Sequence, residues 1–447
     1  MLHKLIDFFK TGADKPVFSN DHEAIKKIYQ RRRWSVFLSV TFGYGFYYVC
    51  RLSFSVVKKH LLEDKIFDAN QLGQIGTALF LTYAFGKFFN GFLADRLNIK
   101  RFISLGLLLS AVVHLILGSM NGFFLFVVLW GLNGWFQSFG AASSVVSLSQ
   151  WYSPRELGTY YGVWITSHNI GAVVTYLGTA FFVTTWGWRM GFIAPGVICA
   201  CAAVFFYAFM YDRPQTYGLP QPGVYRNDPL KSPATESVWA LQREVIKNPA
   251  VWVLGLSSAC MYIARYAIES WGIVFMGTQK GYDTMTAATI MSTSQMSGLV
   301  GTILSGIISD RFFNSRRNWI ALIFGILYAL SLAAFLYLPK GHLWLDIGSM
   351  VVFGFALGVL LCYLGGLMAV DISSKRAAGA AMGMIGLFSY LATALQDSVS
   401  GYLIETGKVI YEGQTTYDFG PVSLVWISAA VLSIVFATLV WNVKPKG

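Results

Sequence analysis

The sequence predicts an all-α membrane protein of twelve transmembrane helices in two pseudo-symmetric six-helix halves, and three observations carry that prediction. Apolar residues fill 55% of 447 positions and charged residues 13%, with a mean hydropathy of +0.54, a balance foreign to a soluble domain of this size. Apolar stretches near the roughly 20 residues that cross a bilayer as a helix recur along the chain, whereas barrel strands would be about half as long and alternating. The third observation is an internal repeat. Gly91-Phe-Leu-Ala-Asp95-Arg96-Leu-Asn-Ile-Lys100-Arg101 returns as Gly306-Ile-Ile-Ser-Asp310-Arg311-Phe-Phe-Asn-Ser-Arg316-Arg317. Arg51 and Arg265 precede these copies at matching distances, and Arg155-Glu-Leu-Gly158 returns as Arg376-Ala-Ala-Gly379. Three ordered matches at offsets of 214 to 221 residues mark two related halves.

Each crossing follows from its own stretch and its punctuation. The first, 34–57, comes after the basic run Arg31-Arg32-Arg33, and the second, 72–94, ends on the Gly91 to Arg101 motif. Stretches 102–120 and 123–149 are parted by Asn121-Gly122, and 159–184 and 190–210 by Gly187-Trp-Arg189. Residues 211–249 are polar and hold Pro214, Pro220, Pro222, Pro229 and Pro233, which reads as a linker. The second half opens after Asn248-Pro249 with 250–276 and continues as 286–309, 318–337, 343–370, 378–404 and 420–442. The expected organisation is therefore an N-terminal segment 1–33, a half 34–210, the linker 211–249, a half 250–442 and a tail 443–447.

An even number of crossings puts both termini on one side. The segments on that side hold 24 of the 34 Lys and Arg residues, against seven in the opposite loops, among them Lys58, Lys59 and Lys280. That bias places both termini in the cytoplasm. It also accounts for the net charge of +12, so nucleic acid is not expected as a partner, whereas membrane lipid is. All five cysteines lie within predicted crossings and form no paired framework or metal-ligand cluster; no cofactor is expected. No nucleophile, paired carboxylates or metal set suggests an enzyme.

Three basic residues remain inside the crossings: Arg51, Lys87 and Arg265. Charge at that depth costs roughly 2.5–3.5 kcal/mol even on the lenient insertion scale, so something must compensate for it. Tyr44, Tyr48 and Arg51 lie at i, i+4 and i+7 and share one helix face, as do Tyr262, Arg265 and Glu269, and Tyr83, Lys87 and Asn90. Tyr161, Trp164 and His168 form a fourth stripe. Polar stripes avoid lipid, so the four faces should converge between the halves. Two guanidinium forks suit one phosphate, with Lys87 adding a point charge, the tyrosines bonding remaining oxygens or sugar hydroxyls, and His168 sensing phosphate protonation. Plainer readings stay open. Arg265 can pair with Glu269 one turn away, Lys87 can snorkel to an interface, and His168 can be an interhelical hydrogen-bond partner. Asp397 is intramembrane with no partner visible in the sequence, so it counts as a site candidate.

At these residues the chain resembles the organophosphate:inorganic phosphate antiporter family of the major facilitator superfamily. The matching segments are Gly43-Tyr-Gly-Phe-Tyr-Tyr-Val-Cys-Arg51, Tyr83-Ala-Phe-Gly-Lys87, Asn133-Gly-Trp-Phe-Gln137, Ser167-His168-Asn169-Ile-Gly171 and Tyr262-Ile-Ala-Arg265-Tyr. The Gly91/Asp95/Arg96/Lys100/Arg101 and Gly306/Asp310/Arg311 copies match the superfamily's loop motif. The resemblance implies the major facilitator fold and one-for-one exchange of an organophosphate for inorganic phosphate by a monomer in a bacterial inner membrane. It also implies that Arg51 and Arg265 hold the phosphate, Lys87 and His168 line the same cavity, Tyr44, Tyr48 and Tyr262 assist, and Tyr390 matches a cavity position. Gly140-Ala141 stand where glycerol-phosphate members carry a tryptophan, and Asp212 to Pro220 resembles the hexose-phosphate branch, sensors included. Glucose 6-phosphate is therefore the expected substrate; a receptor for hexose phosphate and an antiporter for glycerol 3-phosphate are the alternatives.

Overall fold

The structure, a computed structural model, describes all residues except 1–7, 19–20, 95–96, 227–237, 314–316, 374–376, 412–413 and 444–447. Its first half comprises α1 (His22–Glu63), α2 (Ala69–Ala94), α3 (Ile99–Leu117), α4 (Phe123–Trp151), α5 (Pro154–Ile165), α6 (Ser167–Trp186) and α7 (Met190–Phe209). The second comprises α8 (Pro249–Gln279), α9 (Thr284–Phe312), α10 (Arg317–Tyr337), α11 (Leu343–Cys362), α12 (Ala378–Thr406) and α13 (Gly420–Leu439). Local chemistry sets the starts. Asp21, Asn98, Asn248 and Asp283 each accept a backbone N–H of the first turn, and Pro249 sits where a helix needs no donor.

The two halves share one packing scheme. In the first, α2 lies on α4, α3 on α7, and α1 on α6 and α7; in the second, α9 lies on α11, α10 on α13, and α8 on α12 and α13. The same close-approach device recurs as well: a Cβ added to Gly134 would lie 2.2 Å from the Leu79 carbonyl oxygen, and one added to Gly354 1.9 Å from that of Ser294. Missing side chains thus let α4 reach α2 and α11 reach α9. Between the halves, α1 meets α8, α2 meets α12, and α6 meets α9.

Among the described residues eight helices are long and apolar enough to cross a membrane by composition, namely α3, α4, α7, α8, α10, α12, α13 and α11 with its continuation to Asp371. The other crossing helices, α1, α2, α6 and α9, all stand at the contact between the halves. Protein rather than lipid covers much of their surface, which is why they tolerate polar side chains.

Several expectations from sequence are corrected. The crossing placed at 159–184 is two helices broken at Thr166, with α5 starting at Pro154. The stretch between α12 and α13 holds a two-stranded antiparallel hairpin, Lys408–Tyr411 with Gln414–Tyr417. Part of the linker is ordered against the first half: Tyr225 stacks on Tyr29 with ring centroids 4.0 Å apart, and Arg226 meets Glu156 at 2.7 Å. Lys58 and Lys280, assigned to loops, are buried, because α1 runs to Glu63 and α8 to Gln279 and each lysine finds a buried carboxylate, Asp397 or Asp346. Asp95 and Arg96 of the loop motif, with Arg316, lie outside the described residues. In the second copy nothing comes within 4 Å of a Cβ built on Gly306, and Arg311 is exposed, so this glycine makes no close helix approach in this conformation.

The halves are fastened at the end of the bundle away from the termini. Lys58 of α1 reaches Asp397 of α12 at 3.1 Å and Ser270 of α8 at 2.6 Å, while Ser270 and Trp271 donate to Asp397 at 2.8 and 2.6 Å. Around this pair, Lys59 donates to the Tyr282 carbonyl, His60 meets Thr284, and the Ala69 N–H donates to Glu405. Gly73 and Gly401 let α2 and α12 touch there, since an added Cβ would lie 2.5 Å from a facing carbonyl oxygen in either case.

Removing one partner of a buried ion pair costs about 3–5 kcal/mol because the other charge is left uncompensated. Lys58→Met or Asp397→Asn should therefore loosen this end. Spin labels at Asp64 and Thr406 should show a longer separation in either variant; an unchanged distance distribution would show that the pair does not hold the halves together.

Candidate functional site

Arg51 is buried near the middle of the bundle, where α1 faces α8 and α2 faces α12. Its Nε and Nη1 are buried without a hydrogen-bond partner. The guanidinium carbon lies 4.1 Å from the Tyr83 ring centroid and 5.1 Å from that of Tyr48. Aromatic faces attract a cation but leave its N–H groups unsatisfied, so the fork is held in place and still lacks an acceptor.

Arg265 occupies the corresponding place on α8, equally buried, 4.9 Å from the Tyr266 ring and 5.5 Å from that of Tyr262. It differs in one respect. Its Nε donates to Glu269 Oε1 at 2.9 Å, the pairing left open by the one-turn spacing, and Gln295 Nε2 approaches the same oxygen at 3.4 Å. Glu269 Oε2 is buried and bonded to nothing.

The tyrosines converge as the helical spacing requires. Tyr44 packs on Tyr48 at 5.6 Å and on Trp164 at 4.9 Å, and Tyr48 lies 5.5 Å from the His168 ring. Tyr390 of α12 stands 4.7 Å from Tyr83 and 5.7 Å from Tyr262, so rings of both halves meet. Lys87 does not leave this assembly for an interface: its exposed side chain lies over Tyr390 of the opposite half, at 5.1 Å. His168 lies in the first turn of α6, just after the Thr166 break, and its Nδ1 bonds the Ile165 carbonyl, which leaves Nε2 for another partner.

Asp397 sits differently. Its Oδ1 accepts from Lys58, Ser270 and Trp271 at once, so its carboxylate is saturated by the protein in this conformation. A ligand has no claim on it here, although it lines the same pocket as Arg51, Leu79, Tyr266 and Ser270. At Gly140 a Cβ would lie 3.0 Å from the Tyr47 ring, and Tyr47 itself donates to the Ile103 carbonyl, so the small residue serves packing of α4 on α1.

Four residues of the site escaped sequence reasoning as ligand candidates. Tyr266 covers Arg265 and meets Tyr390 at 6.2 Å. Its i+4 relation to Tyr262 was a usable signal. Glu269 appeared only as a counter-ion. Gln295 and Asn169, which line a pocket with Arg265 and Glu269, carry no charge and so raise no flag in an apolar sequence.

The profile of the Major Facilitator Superfamily matches residues 40–396. The membrane sensor protein UhpC of Salmonella typhimurium is 31% identical over 88% of this chain and 89% of its own length. The probable hexose phosphate transport protein of Chlamydia pneumoniae is 31% identical over 96% and 95%, and the glycerol-3-phosphate transporter of Bacillus subtilis 30% identical over 96% of each. With two pseudo-symmetric halves around a cationic, tyrosine-lined centre, the chain belongs to the Major Facilitator Superfamily and, within it, to the organophosphate:inorganic phosphate antiporter branch.

Proposed function

We propose that the protein exchanges a sugar phosphate, in the first place glucose 6-phosphate, for inorganic phosphate by alternating access. The observation that carries this reading is the unsatisfied guanidinium of Arg51. A buried charged donor left without an acceptor is costly, and a tetrahedral anion with several oxygens satisfies it. The charge balance supports a dianion: Arg51, Arg265 and Lys87 stand against Glu269 alone, while Lys58 and Asp397 cancel each other. Similarity to a hexose phosphate transport protein supports the sugar.

Exchange follows from how the empty site behaves. Glu269 offsets Arg265, so the uncompensated charges are Arg51 and Lys87, both of the first half, with Lys87 lying over Tyr390 of the second. Drawing the open end shut would desolvate these cations together, which is unfavourable unless an anion enters with them. A ligand that stabilises the closed arrangement over the open one shifts the equilibrium by that difference. With both termini in the cytoplasm of a bacterial inner membrane, the described conformation, fastened at the far end, faces inward.

Similarity to a membrane sensor favours a second reading, in which the same site detects hexose phosphate without moving it. Purified protein in phosphate-loaded liposomes should accumulate labelled glucose 6-phosphate, and liposomes without internal anion should not. Equal uptake in both would overturn antiport, and tight binding with no uptake in either would favour the sensor.

Arg51→Lys and Arg265→Lys keep the charge but lose the fork. With hydrogen bonds to a charged group worth about 1.5–3 kcal/mol, each should weaken phosphate binding roughly tenfold to a hundredfold. Titration calorimetry with inorganic phosphate measures this, and near-normal affinity in either variant would count against two-arginine binding.

A further inference from the structure

We propose that Glu269 tests each ligand for an O–H donor. Its carboxylate accepts a hydrogen bond from the protonated oxygen of inorganic phosphate, or from a hydroxyl of the organophosphate, and rejects anions of the same shape and charge that carry no such hydrogen. The inference rests on the exchange reading above and names what the two exchanged ligands have in common.

Three observations meet at this residue. Glu269 is 4% exposed, and its two oxygens are unequal: Oε1 takes Arg265 Nε and Gln295 Nε2, while Oε2 is buried with no partner. A charged acceptor in that condition is incomplete. It is also the one residue shared by the two pockets that flank the site, one lined by Arg51, Ser270 and Asp397, the other by Arg265, Asn169 and Gln295. Glu269 thus borders the pockets of both guanidinium groups. Any anion gripped by both arginines comes to lie against it.

Two anionic oxygens in contact repel unless a hydrogen lies between them. Doubly charged inorganic phosphate still carries one P–O–H and can donate it to Oε2. A doubly charged phosphate monoester has no phosphoryl hydrogen, but a sugar hydroxyl can donate instead. Sulfate and monofluorophosphate are tetrahedral dianions with no donor at all, and a site built to bond a hydrogen discriminates strongly against analogues that lack it. Glu269 would therefore admit phosphate and sugar phosphates through one atom.

Competition for phosphate binding by the purified full-length protein tests this, with phosphate, arsenate, sulfate and monofluorophosphate as probes. In the unaltered protein, arsenate should compete like phosphate, and sulfate and monofluorophosphate about a hundredfold less well. In Glu269→Gln, whose amide can itself donate, the gap should narrow to about tenfold or less, whereas a purely structural role for Glu269 would weaken all four anions alike. Monofluorophosphate competing as well as phosphate in the unaltered protein, or an unchanged gap in the variant, would overturn the proposal. If the variant does not fold, the unaltered protein's series decides by itself. Binding with this discrimination but no exchange in liposomes would sink antiport and leave the role of Glu269 standing.

Discussion

An arginine in the interior of a membrane protein has to be answered by something, and the arrangement around Arg51 follows from that constraint. Lipid cannot solvate the guanidinium, so its helix must be covered by protein on the charged face. The same holds for the polar side chains of α2, α6 and α9, such as Lys87, His168 and Gln295, and these helices, with α1, are the ones that fall short of an ordinary spanning helix by composition. The only place that shelters all four is the contact between two bundles. The two-half architecture and the polar centre are thus one solution: the repeated halves provide the shelter, and the charges occupy it.

Among the described residues at the contact between the halves and near it, two kinds of buried charge stand apart. Lys58 with Asp397, and Lys280 with Asp346, are closed sets: each carboxylate is met by a lysine and by further donors, Ser270 and Trp271 in one case and Tyr282 in the other. Such sets need nothing from outside. Arg51 and Glu269 are open sets, the first with unsatisfied donors and the second with an unsatisfied acceptor. Donor and acceptor do not satisfy each other, and under the proposal a ligand carrying both anionic oxygens and an O–H would complete the two at once. Depth in the membrane alone would rank Lys58 and Asp397 as highly as Arg51; hydrogen-bond completeness ranks them apart.

That distinction also marks how far the chain could be read from its residues. The membrane-helical fold, the repeat and the gathering of Tyr44, Tyr48, Tyr83, Lys87, His168 and Tyr262 around two arginines were legible, because helical spacing fixes which side chains share a face and membrane cost fixes which face is hidden. The partner of Asp397 was not legible. Lys58 lies 339 residues away in sequence and sits where a loop begins by hydropathy, since a lysine counts against a span whether or not a carboxylate waits for it. The break at Thr166 was hidden for a similar reason: apolar composition runs through it. The packing use of Gly140 was hidden as well, since only the neighbouring Tyr47 ring shows that this small residue lets α4 approach α1.

The asymmetry between the two arginines bears on how the halves move. Corresponding positions of a repeat would carry equal charge, and two equal cations would make the empty site resist closure symmetrically. Glu269 removes that equality, holding Arg265 in its own half through Nε whether or not a ligand is present. Arg51 has no carboxylate tether of that kind and lies against the rings of Tyr48 and Tyr83. In the proposed exchange a ligand would then gain most of its differential binding from Arg51, whose Nε and Nη1 are unsatisfied without it. The fastening at the far end lies on the same helix, since Arg51 and Lys58 are two turns apart on α1, and seven residues return a helix to nearly the same face. In the proposed exchange, a tilt of α1 that brought Arg51 toward an anion on Arg265 would also move Lys58 relative to Asp397, so that ligand capture at the centre and release of the closed end would act through one helix.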